Sequence, residues 1–138
     1  MILDWTTIDD AVIACIATAG FTCYPYEGPT LSQVPCVTFV PEDVDQGYLG
    51  NDQGFGIGKV GFKLRFYVSM EKDARLAWMQ MKQGVAQIVA ALGADRHLGG
   101  AVRSFELGQG RISPVRTLDG GRRELMCEWP LDVTPRPN

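Results

Sequence analysis

Between Lys59 and Ser69 the chain alternates without a break: Val60, Phe62, Leu64, Phe66 and Val68 fall on one side, and Lys59, Gly61, Lys63, Arg65, Tyr67 and Ser69 on the other. A period of two sends successive side chains to opposite faces, so the segment predicts an antiparallel strand with one buried face. An apolar sheet face has to be covered, and two segments have the periodicity of covering helices. In the first, Ile8, Val12, Cys15, Ile16 and Ala19 make one stripe. Thr6 with Asp9, or Thr7 with Asp10, suits its N-terminus, and Gly20 suits a left-handed stop against which Phe21 packs back. The second is predicted over Glu71–Leu92, capped by Ser69 and stopped by Gly93. Its buried stripe is Ala74, Ala77/Trp78, Met81, Val85, Ile88, Val89 and Leu92, and Gly84 in mid-helix marks a soft spot or a close approach.

Shorter strands are predicted at Phe21–Pro25, Cys36–Val40 and Ala101–Leu107. Ile112–Leu118 and Arg122–Val133 flank Asp119-Gly-Gly as a hairpin. The order is α-β-β-β-α-β-β-β. It predicts a single α+β domain over residues 1–133, with two helices packed on a mostly antiparallel sheet in which mixed pairing is open. Residues 134–138 are expected to be a tail. Residues 42–58, rich in Gly and Asp, are expected to form a long flexible loop.

The chemistry-bearing residues are sparse. Cys15, Cys23, Cys36 and Cys127 form no C-x-x-C pair and sit in apolar contexts, which points to buried free thiols. With His97 the only histidine of the 138 residues, zinc sites built on two histidines are excluded. No catalytic motif, cofactor or metal site is expected, and the carboxylate pairs Asp9/Asp10 and Glu42/Asp43/Asp45 read as a helix start and a solvated loop. No apolar run approaches the roughly 20 residues that span a bilayer, and the N-terminus lacks the pattern of a signal peptide. The expectation is a chain kept in a reducing cytoplasm, with no membrane partner.

Gly56, Gly58 and Gly61 make a literal G-x-G-x-x-G. A dinucleotide fingerprint follows a strand and opens a helix, whereas these glycines precede a strand. A small ligand- or nucleotide-binding domain using the Gly54–Gly61 loop therefore stands only as an alternative. Charge is the sharper signal. Residues 1–58 hold eight acidic residues and no Lys or Arg, while thirteen basic residues lie from Lys59 onward among eight further acids, a net of +5. Such halves can pair within one fold, meet nucleic acid, or meet on neighbouring subunits.

The helix ending in residues 16–29, the spacing of Tyr24, Pro25, Pro29, Pro35, Val37 and Phe39, the Gly/Asp-rich stretch, the strand at 60–69, the long helix and the Asp119-Gly-Gly hairpin together resemble the tail terminator (tail completion) proteins of long-tailed bacteriophages, particularly those of actinobacterial phages. The resemblance implies a non-enzymatic virion protein, made in the bacterial host cytoplasm and located in the tail or neck. It implies a hexameric ring that caps the tail tube, binds the tube protein and the head-side connector, and lets DNA pass without sequence-specific binding. Head-tail connector or stopper proteins of the neck have similar lengths and are the alternative within this class. For a ring, the expected subunit or partner contacts are Glu42, Asp43, Asp45, Tyr48, Asp52, Phe55 and Lys59 on the acidic side and Arg116, Arg122 and Arg123 on the basic side.

Overall fold

The computed structural model describes residues 3–27, 34–48, 55–116 and 122–136. Helix α1 (Trp5–Thr18) leads through a short strand β1 (Cys23–Tyr24) into two long strands, β2 (Cys36–Tyr48) and β3 (Phe55–Ser69). Helix α2 (Ala74–Ala94) follows, then a 3-10 turn at Leu98–Gly100 and the strands β4 (Val102–Leu107), β5 (Arg111–Arg116) and β6 (Arg123–Pro135). The sheet order is β1-β2-β3-β6-β4, with β5 also paired to β6. Only β1 and β2 run parallel, so the sheet is mixed but mainly antiparallel, as the element order predicts.

Both helices lie on the face to which β3 sends its alternating apolar residues. Val60, Phe62, Leu64, Phe66 and Val68 are buried, and β6 answers with Leu125, Cys127, Trp129, Leu131 and Val133. The register pairs Phe62 with Leu131, Leu64 with Trp129 and Phe66 with Cys127, so the two stripes form one continuous apolar surface. Helix α1 covers it with Ile8, Val12, Cys15 and Ile16. Helix α2 does so through a narrow strip of Ala77, Met81, Gly84, Ile88 and Leu92. Each large apolar side chain buried here contributes about 1.5–3 kcal/mol. Gly84 is a place of close packing: a Cβ there would stand 2.3 Å from the Phe66 ring and 3.3 Å from Phe21. Phe21 in turn lies against Phe66, with ring centroids 4.8 Å apart.

Several local expectations change. Helix α1 is capped by Asp4, whose carboxylate accepts from the Thr7 amide at 3.0 Å and the Thr7 hydroxyl at 2.6 Å, so Thr7 is the donor and not the cap. Those bonds, from the hydroxyl first, lower the Asp4 pKa, whereas burial and then the neighbouring Asp10 raise that of Asp9. Helix α2 begins at Ala74 with Asp73 accepting from the Arg75 and Leu76 amides, while Ser69 accepts from Glu71 in the turn before it. Gly20 has the predicted left-handed φ of 92°, but Gly93 stops nothing and the helix runs on to Ala94. Ala74 is exposed, as are Trp78 and Val89, because α2 presses closely on the sheet along its small residues and leaves its flank uncovered.

The largest correction concerns residues 42–58. Residues 42–48 belong to β2 and 55–58 to β3, most of them paired in one antiparallel ladder, and 49–54 lie outside the described residues. Pro41 and the glycines hide this in the sequence. The ladder accommodates them because β2 is an edge strand here, and register shifts between Pro41 and Asp43 and between Asp45 and Gln46 absorb the breaks in pattern. At the other end of the chain, β6 runs to Pro135, two residues into the expected tail, with Thr134 and Pro135 opposite Ser104 and Val102. The Asp119-Gly-Gly turn lies outside the described residues, but β5 and β6 pair as its flanks require, from Arg116 opposite Arg123 to Arg111 opposite Glu128.

Candidate assembly interface

Pairing of β3 with β6 begins at Val60 opposite Val133. Beyond that point the β2–β3 ladder continues without β6, through Asp45 opposite Lys59, Gln46 opposite Ile57 and Gly47 opposite Gly56 to Tyr48 opposite Phe55. Five strand residues at ~3.3 Å each carry this ladder roughly 16 Å past the last β3–β6 pair. Ile57 of this extension is partly buried against the core, which helps to hold it. Asp45 is exposed on it; Glu42, Asp43 and Val44, the last 42 % exposed, precede it on β2, where β6 still flanks β3. Glu42 pairs with Lys63 of its own chain at 3.2 Å, and Lys59 is exposed opposite Asp45. Of the other expected contact residues on this side, Asp52 lies outside the described residues, and Tyr48 and Phe55 are placed by their backbones at the end of the ladder.

The same geometry removes the nucleotide alternative. Gly56, Gly58 and Gly61 all lie inside β3, and the next helix opens only at Ala74. The described glycines with positive φ are Gly20, Gly99 and Gly100, none of them in the motif. The helix N-terminus that would hold a pyrophosphate is not where the motif needs it. Among the described residues, no group of three or more His, Cys, Asp or Glu side chains could hold a metal ion, and no helix is long and apolar enough to cross a membrane.

The arginines gather at the other end of the sheet. Arg116 stands directly opposite Arg123, with Arg122 next in the chain, and all three are exposed. Like charges facing across strands are unfavourable. The Arg123 amide donates to Glu71 Oε1 at 2.7 Å, which anchors the backbone there. Arg122 lines a hollow of about 630 Å³ together with Val34, Pro35 and Leu76. Because Glu124 pairs with Ser69 and Asp45 with Lys59, Asp45 and the arginine end are separated by roughly 35 Å of strand. Among the described residues, the fold therefore does not bring Glu42, Asp43 and Asp45 together with Arg116, Arg122 and Arg123 within one chain.

A second cluster, on the sheet face away from the helices, was missed by sequence reasoning. Arg65 lies between two carboxylates, 2.9 Å from Glu27 and 2.7 Å from Glu128. Glu27 also accepts from the buried Thr38 hydroxyl at 2.9 Å and from the Tyr67 hydroxyl at 3.0 Å. Burial by itself would lower the Arg65 pKa; the bond to Glu128 and the charge of Glu27 outweigh it and raise the value. Burial, then the Glu27 charge, raises that of Tyr67. No periodicity links Glu27, Arg65 and Glu128, which lie on a loop and two separate strands, so only strand register could reveal them. The network fastens the segment after β1 onto the sheet and is structural.

The four cysteines are free and buried, as expected. Burial pushes Cys23 and Cys36 up to about 12 and Cys127 up to about 11, from an ordinary 9.0, with the Cys36 thiolate further opposed by Glu124. A thiol whose folded pKa is raised supports the fold fully below pH 9.0, and that support is lost as the pH climbs through the folded values. Stability is thus expected to fall between pH 9 and 12, by on the order of 1 kcal/mol per pH unit for each such thiol, in urea titrations run across that range. A flat profile would show that the thiols are not held protonated by the fold.

No protein-family model matches the chain, and no curated protein matches it either. Among solved structures it is similar to a chain of the virion of a native gene transfer agent particle, at 20 % identity and a TM-score of 0.47, over 94 % of this chain and 90 % of that one.

Proposed function

We propose that this chain is a structural subunit of a phage-like virion, and within it a tail terminator. In this role, six copies form a ring that caps the tail tube, joins the tube protein to the head-side connector, and leaves a channel for DNA. The observation that carries the self-assembly part is the separation of the exposed acids on β2 from an arginine end along the same sheet. Two unlike faces at opposite ends of one subunit form heterologous contacts, which close into a ring when the rotation between copies allows it. Glu42, Asp43, Asp45 and Asp52 of one copy are the proposed partners of Arg116, Arg122 and Arg123 of the next. The tail assignment rests on the sequence resemblance. A net charge of −3 suits a channel that passes DNA without gripping it, since tight binding depends on neutralising phosphates.

Mixing the protein with tail tubes tests the assignment. Negative-stain images are expected to show six-fold rings at tube ends, and Arg122→Glu together with Arg123→Glu is expected to reduce capped ends at least about tenfold, as loss of close interfacial charge pairs does. Tubes left open by the unaltered protein would overturn the tail assignment.

A further inference from the structure

Helix α2 carries Arg75 and Lys82 and not one Asp or Glu in its 21 residues. At 3.6 residues per turn, Trp78, Lys82 and Val89 fall on one flank of it, with Arg75 beside them. On that side Val89, Leu92, Gly93 and Arg96 line a hollow of about 380 Å³ with Phe105 and Leu107 of β4. Flank and sheet edge form a groove in which Trp78 is 39 % and Val89 43 % exposed. Arg75, Lys82 and Arg96 are exposed along it. The acids at the two ends of the helix are engaged locally: Asp73 caps α2, and Asp95 accepts from the Gly99 amide at 2.8 Å.

Helix α1 has the opposite character. Asp4 caps it, Asp9 and Asp10 follow, and it holds no Lys or Arg. Thr6, Asp10, Ile13 and Ala17 recur at helical spacing on the flank turned away from its buried stripe. All are exposed except Ile13, which is half-buried. Side chains as small as Thr and Ala let a second helix approach to about 8 Å. The two flanks point in opposite directions. Helix α1 lies over β1 and α2 over β3 and β6, and they meet where the Cys15 thiol donates to the Ala91 carbonyl at 3.5 Å. Cys15 and Ala91 each sit roughly half a turn around their helices from the flanks just described.

We propose that α1 of a second copy of the chain packs in this groove with Asp10 beside Lys82, so that the helix layer continues from copy to copy as α1-α2-α1-α2. Opposite charge selects the pairing, because one helix holds only acids and the other only bases. Copies placed side by side keep the antiparallel sense that the two helices have within a chain, where Cys15 meets Ala91 and Phe21, past the end of α1, meets Gly84. Asp10 and Lys82 lie near the midpoints of their helices, so a centred antiparallel crossing brings them together. The chain's own α1 cannot fill the groove, since it occupies the other side of α2. The inference rests on the self-assembly reading above and adds to it a contact on the helix side of the sheet.

Sedimentation equilibrium of the full-length chain, alone and with tail tubes, tests the contact through a charge swap at two exposed positions. Lys82→Glu and Asp10→Lys are each expected to weaken self-association at least about tenfold, because each sets like charges together. The chain carrying both changes restores an opposite pair, and is expected to regain the unaltered affinity to within about threefold. Val89→Glu, which puts a charge into the apolar part of the groove, is expected to weaken association about tenfold. Unchanged urea midpoints check that each variant is folded. Association indifferent to any of the three single changes, or not restored by the double change, would overturn the contact; if tubes are still capped, the tail assignment stands. A swap that behaves as expected while tubes stay open leaves the contact standing and removes the tail assignment. Unaltered chains that remain single both alone and with tubes would overturn the contact and the self-assembly reading together.

Discussion

Phe66→Ala is expected to lower the unfolding free energy by about 3–5 kcal/mol, the range for a phenylalanine deleted from a close-packed core. The Phe66 ring is 1 % exposed, stands against Phe21 at 4.8 Å between centroids, and fills the space that Gly84 leaves on α2. The reciprocal change, Gly84→Ala, sets two effects against each other. A helix interior gains about 1 kcal/mol from Ala over Gly, but the new methyl would lie 2.3 Å from two ring atoms of a side chain that has no room to move. A net loss of about 1–2 kcal/mol is expected. In the double variant the methyl enters the cavity, so the combined loss should fall short of the sum by more than about 1 kcal/mol. Urea denaturation of all four proteins measures the coupling, and strict additivity would show that α2 does not rest on Phe66 in the way described.

Arg65→Met should cost about 2 kcal/mol at neutral pH, less than for a fully buried pair because Arg65 retains 23 % exposure and water screens part of the charge. The methionine keeps the apolar stem but leaves Glu27 and Glu128 without the cation between them. Urea denaturation at neutral pH measures the loss, and an unchanged unfolding free energy would mean that Arg65 acts through the packing of its stem alone.

Much of this fold is legible in the sequence because its signals are local. The alternation of β3 names its buried face residue by residue, the stripes of α1 and α2 name the helices, and the order of elements predicts the α+β class. Local reasoning fails where a pattern is broken yet pairing persists. Pro41, Gly47, Gly56 and Gly58 look like loop residues, but a neighbouring strand and two register shifts hold them in the ladder. It also fails for Trp78 and Val89: periodicity gives a wide apolar stripe on α2, while Gly84 lets the helix approach so closely that only a narrow strip is covered.

The candidate interface divides in the same way. That acids crowd the first 58 residues and bases the remainder is a property of the chain before it folds. Whether the two groups cancel within one subunit or face outward is not, because it depends on distances between residues far apart in sequence. By itself the sequence determined the buried face of β3, the buried free cysteines and the segregation of charge, all properties of composition and short-range period. Only the tertiary structure decided that Glu42, Asp43 and Asp45 are exposed on β2 and that Arg116, Arg122 and Arg123 lie at the opposite end of the sheet. Long-range strand register sets those positions, and no local pattern encodes it.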